Sequence, residues 1–117
     1  MKLTAKKLSE EEINTIVSTK LNWILDCCSP EIIYLFGSAS SLSMTDASDV
    51  DLIIIFNNLI ELKQAEKNIA INRPKDDWPH DLIFHTIEGF NKSVSKGGGA
   101  SWVAKEEGKI IYQKEAK

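Results

Sequence analysis

Long apolar runs are missing from this chain. No uninterrupted stretch is longer than residues 52–56 (LIIIF), and a membrane span needs about 20 apolar residues, so no spanning helix is expected. The first residues, MKLTAKKLSEEE, lack the apolar centre of a signal peptide. Cysteine is scarce. Its two examples, Cys27 and Cys28, are neighbours, which does not suit an ordinary structural disulfide, and no C-x-x-C or Cys/His cluster points to zinc. A reduced, cytoplasmic compartment is the expectation. An excess of basic charge is also absent. Lys and Arg number 14 against 17 Asp and Glu, for a net charge of −3. A module that neutralises several duplex phosphates is normally basic, so direct DNA binding is not expected.

What remains is an ordinary folding composition, 43% hydrophobic and 26% charged over 117 residues. That length suits one domain, residues 1–117, with one modest core. No repeat or linker divides it. Ser9 followed by Glu12 forms a capping box, and Ile13, Ile16, Val17, Leu21, Ile24 and Cys28 recur at helical spacing. A first helix is therefore expected over residues 9–27, ending ahead of Pro30. An apolar strand at Ile32–Phe36 stops at Gly37, and a small-residue segment expected to open a helix begins at Ser38. A second strand is expected over residues 49–56, then a helix carrying Leu59, Leu62, Ala65, Glu66 and Ile69. Residues 73–79 read as a polar loop and His80–Thr86 as a third strand. A short helix at 87–94, the loop Gly97-Gly98-Gly99, a helix at 101–107 capped by Ser101 and a strand at Lys109–Gln113 follow. The alternation predicts an α/β (α+β) domain: a single mixed β-sheet with helices packed mainly on one face.

The informative stretch is residues 35–56, LFGSASSLSMTDASDVDLIIIF. Strand side chains alternate, so Asp49 and Asp51 point to one face, roughly 6–7 Å apart along the strand. Such a pair repels unless a cation lies between, and hard divalent cations prefer these oxygen donors. Taken alone, the pair is more simply a solvated strand start, since D-x-D occurs often by chance. Gly37-Ser38 lies just after a strand. If a helix opens there, its unpaired amides would hold phosphate, and the Ser38 hydroxyl adds a donor; a plain turn is the simpler alternative. Together, a phosphate cradle and a carboxylate pair suit a nucleoside triphosphate with magnesium. In PHDLIFH, Asp81 begins a strand as Asp49 does, and it joins the other two acids if the strands are neighbours. No role is assigned to His80 or His85. Trp23, Trp78 and Trp102 are candidates for either the core or a contact surface.

Gly37-Ser38, ten intervening residues, then Asp49-x-Asp51 and an apolar strand resemble the nucleotidyltransferase superfamily that includes DNA polymerase β. The small size resembles its minimal branch, the MNT proteins, and HDLIFHTIEGFNKSV and EEGKIIYQ are similar to that branch's third strand with its following helix and to its closing strand. The resemblance covers about residues 32–113. It implies a nucleotidyltransferase fold in which Gly37 and Ser38 bind nucleotide phosphates and Asp49, Asp51 and Asp81 hold two Mg2+ ions. The implied reaction transfers a nucleoside monophosphate, AMP from ATP, to an acceptor hydroxyl. Stand-alone minimal members are commonly paired with a small helical HEPN protein, as antitoxin to toxin, so a HEPN partner is implied as well. One feature departs from the pattern. The basic residue that family members often carry shortly after Gly-Ser is replaced by Ala39, Ser40 and Ser41, and no Lys or Arg lies between Lys20 and Lys63. That keeps open a non-catalytic nucleotide- or partner-binding subunit with the same fold.

Overall fold

The computed structural model describes residues 5–76 and 78–115. Its first helix, α1 (Glu10–Cys27), starts on the expected capping box. Ser9 Oγ accepts from the Glu12 amide at 3.1 Å, and Glu12 Oε1 accepts from the Ser9 amide at 3.0 Å. These bonds hold the Glu12 carboxyl below its ordinary pKa. The inward stripe of α1 is Ile13, Val17, Lys20, Trp23 and Ile24. A lysine therefore occupies a core position.

Strand β1 (Ile32–Phe36) is followed by β2 (Val50–Phe56), α2 (Leu59–Ile71) and β3 (His80–Thr86). Helices α3 (Ile87–Ser95) and α4 (Gly99–Glu107) and strand β4 (Lys109–Gln113) complete the order. The strands form one sheet in the order β3-β2-β1-β4. β1 runs antiparallel to both β2 and β4, and β2 runs parallel to β3 through the α2 crossover. β2 is buried on both faces. Its residues Val50, Leu52, Ile54 and Phe56 pack with α1 and α2, and Ile53 and Ile55 pack with Phe90 of α3 and Ala104 of α4. This double burial explains its unbroken apolar sequence. The two long helices share one face, as expected, and the two short ones cover part of the other.

Three local expectations differ from the structure. No helix follows Gly37-Ser38: residues 37–42 are successive turns. The Ser41 amide reaches the Gly37 carbonyl at 3.3 Å and the Ser43 amide reaches that of Ser38 at 2.9 Å, while Leu42 takes φ 58°. The Ser41 hydroxyl also lies 3.4 Å from the Gly37 and Ser38 carbonyls. Serine side chains compete for the carbonyls that a helix would need, so the run of serines favours turns. Asp49 lies just before β2 rather than inside it. Ser101 is not a cap. Gly98 (φ 71°) caps α4, and Ser101 is buried within that helix, 3.1 Å from His85 Nε2. Trp23 is core; Trp102 is exposed.

Candidate active site

The parallel register of β2 and β3 sets Asp51 opposite Asp81. Alternation sends both away from Val50 and His80, toward the α3/α4 side. Asp51 is half-buried, whereas Asp49 and Asp81 are exposed. The antiparallel register of β1 and β2 pairs Phe36 with Asp51, so Gly37 emerges beside that carboxylate. Gly37 has φ 73°, and a Cβ built there would collide with Asp51 Oδ2. Glycine is thus required twice, by its conformation and by the carboxylate lying over it. Neither reason was legible in the sequence, which marks Gly37 only as the stop of a strand and part of a candidate phosphate-holding turn.

The electrostatics follow from the placement. Burial raises the pKa of the Asp51 carboxyl, and the charges of Asp81 and then Asp49 raise it further. Among the described residues no Lys, Arg or His forms an ion pair with any of the three. Asp51 therefore feels the charge of two further acids, and no described protein cation is paired with any of the three. No group of three His, Cys, Asp or Glu among the described residues is gathered closely enough to form a metal cage by itself. Magnesium seldom uses such a cage; it is typically held by one or two carboxylates with phosphate and water oxygens. The all-oxygen donor set and its uncompensated charge fit that ion.

Of the residues singled out in the sequence, the structure brings Gly37, Asp51 and Asp81 together, with Asp49 at the entrance to β2. The Ser38 carbonyl accepts from Ser43, which ties the turn down. The Ser40 hydroxyl is buried without a hydrogen-bond partner among the described residues. The cysteines are free; burial pushes the Cys28 thiol up to about 11, so it is un-ionised at neutral pH. Sequence reasoning missed a polar knot behind the acids. Lys20 Nζ lies 2.8 Å from both Asp76 Oδ1 and His80 Nδ1, and the Trp78 indole N–H donates to the Ser48 carbonyl at 2.9 Å. The available signal was Lys20 itself, a charge at the helical spacing of Ile13, Val17 and Ile24.

A four-stranded mixed sheet with paired helices and carboxylates at the starts of two parallel strands defines a nucleotidyltransferase-type domain. The family model described as Polymerase beta, Nucleotidyltransferase matches residues 11–117, and the chain belongs to that family. Its fold is shared with the crystal structure of a provisionally assigned nucleotidyltransferase from Sulfolobus solfataricus, with a TM-score of 0.51. That likeness covers 89% of this chain and 83% of the other at 14% identity, and it speaks to fold alone. No curated protein sequence matches the chain. No described helix is long and apolar enough to cross a membrane.

Proposed function

We propose that this nucleotidyltransferase domain transfers AMP from ATP to an acceptor hydroxyl, using Mg2+ held by Asp49, Asp51 and Asp81. The observation that carries the reading is the juxtaposition of Asp51 and Asp81 in register, with Gly37 against Asp51 and, among the described residues, no cation paired to the acids. Bound magnesium, two ions in this reading, would supply the positive charge that neutralises the triphosphate and acidifies the acceptor hydroxyl. The chain's own groups do the rest. The amides of Ser38 and Ala39 and the Ser38 hydroxyl orient the phosphates. Asp81 faces solvent and takes the proton of the acceptor hydroxyl. The acceptor oxygen bonds to the α-phosphorus as the bond to the bridging oxygen breaks, and pyrophosphate leaves. Positioning and charge supply most of the acceleration.

The acceptor in this reading is a tyrosine hydroxyl on a HEPN-type protein, which rests on the resemblance to minimal nucleotidyltransferases. A specific observation favours a second reading, a non-catalytic subunit that binds a nucleotide or a partner. The turn after Gly37 has no cation, and the three acids form no closed cage. Transfer of label from α-labelled ATP, with nucleotide affinity measured in parallel, separates the two. The catalytic reading expects transfer by the wild type and its loss in Asp81→Asn by roughly 10²–10⁴ or more, with ATP affinity largely kept. Binding without transfer in the wild type would support the second reading.

A further inference from the structure

Behind the acids, on the other face of the sheet, lies a buried charge that the reaction does not use. Lys20 has no accessible side-chain surface. Its ammonium donates to Asp76 Oδ1 and His80 Nδ1, each at 2.8 Å, and stands 5.7 Å from the Trp23 ring centroid. Lysine has only donors, so His80 Nδ1 is the acceptor and the ring is neutral. Burying an ammonium is strongly unfavourable unless it is paired, and a pair so formed confers geometry more than stability.

The geometry it fixes is that of the chain leading into β3. Trp23, one turn along α1, donates its indole N–H to the Asn72 carbonyl at 2.8 Å and packs on His80 at 5.3 Å. Helix α1 therefore grips both ends of the segment between Asn72 and His80. From the middle of that segment, Trp78 donates to the Ser48 carbonyl, and the Pro79 carbonyl accepts from the Val50 amide at 2.9 Å. Ser48 and Val50 flank Asp49, and Asp81 directly follows His80. Alternation keeps Lys20 on the α1 side of the sheet while Asp81 points to the other, so Lys20 does not meet substrate.

We propose that Lys20 is a positioning residue, whose buried tie to Asp76 and His80 holds the Asn72-to-His80 segment so that Asp49 and Asp81 stand correctly against Asp51. The proposal rests on the reading of these acids as the reactive centre. An apolar side chain would fill the same space; only the ammonium supplies two directed bonds to the segment that carries Asp81.

The test is Lys20→Met, which keeps length and removes the donors. Backbone exchange is the first readout. The Val50 amide, bonded to the Pro79 carbonyl, should exchange about tenfold faster or more, with Ile33 in β1 unchanged. Mn2+ affinity should weaken by about tenfold or more. With α-labelled ATP, kcat should fall by about tenfold or more while KM for ATP stays within about twofold, because misplacement harms chemistry more than nucleotide binding. A purely structural role would lower the melting temperature and leave kcat unchanged well below melting. Wild-type exchange at Val50 with wild-type kcat in Lys20→Met would overturn the proposal. If that variant does not fold, Trp78→Phe, which loses the bond to Ser48 and part of the ring's packing, should show the same pattern at smaller amplitude, and unchanged values there would overturn it equally. A wild type that neither binds Mn2+ nor transfers label rejects the metal-site reading, and the Val50 exchange comparison then decides the tie by itself.

Discussion

Asp51 sits half-buried beside Gly37 with Asp81 and Asp49 facing it, and all three influences on its carboxyl push the proton affinity up. An acid whose folded pKa is raised binds its proton more tightly in the fold than in the unfolded chain. Its contribution to stability is therefore full below about pH 4, the unfolded value, and is lost as pH rises through the folded value. Asp51→Asn should consequently melt higher than wild type at pH 7 in the absence of metal, and the difference should vanish near pH 3. The same variant should lose metal binding, since the amide carries no charge. Paired melting curves at the two pH values check the first statement, and a lower melting temperature at pH 7 would refute it. Ser40 allows a simpler case. Its hydroxyl is buried with no partner among the described residues, so Ser40→Ala should be neutral or stabilising by up to about 1 kcal/mol, read from the urea midpoint.

At the scale of elements, most of the chain was legible because its local signals agree. The Ser9–Glu12 box, the stop before Pro30 and the apolar β2 became what they spelled, and the expected stripe of α1 held at Ile13, Val17 and Ile24, with Lys20 and Trp23 buried beside them in place of Ile16, Leu21 and Cys28. Strands β1, β3 and β4 came out with the expected bounds, because turn residues and prolines bracket them. Ser9→Ala should remove the hydroxyl that accepts from the Glu12 amide, while the bond from the residue 9 backbone amide to Glu12 stays, and should cost about 1 kcal/mol, a fall of about 4–8 °C in Tm, with transfer at 25 °C unchanged. The segment after Gly37 was misread for an identifiable reason. Helix propensity and side-chain competition both work against a helix in so serine-rich a segment, and Leu42 closes the turn in the left-handed region. Ser101 was misread because its partner, His85, is distant in sequence and becomes its neighbour only through packing.

Across the whole molecule, the acids were legible and the structure behind them was not. D-x-D and the later Asp81 announce themselves by spacing, whereas the register that sets Asp51 beside Asp81 is a property of the sheet. Lys20, Asp76 and His80 meet only because α1 lies under the approach to β3. The two histidines also give the fold a pH response. Burial lowers the pKa of His85 and, with Lys20, that of His80, so both are held neutral. Their contribution is present above about pH 6.5 and is lost as pH falls toward the folded values. The urea midpoint should drop between pH 7 and pH 5, and by less in His85→Gln; an equal drop would remove His85 from the account. The central claim is that the three acids and the Gly37 turn form one metal–nucleotide site, and the most direct test is the melting temperature with Mg2+ and ATP together. At about 100 times its Kd, a ligand stabilises by about 2.7 kcal/mol, a shift of many degrees for a domain of this size. The account predicts that shift in the wild type and its absence in Asp49→Asn/Asp51→Asn, whereas an equal shift in the double variant, or none in the wild type at millimolar Mg2+ and ATP, would contradict it.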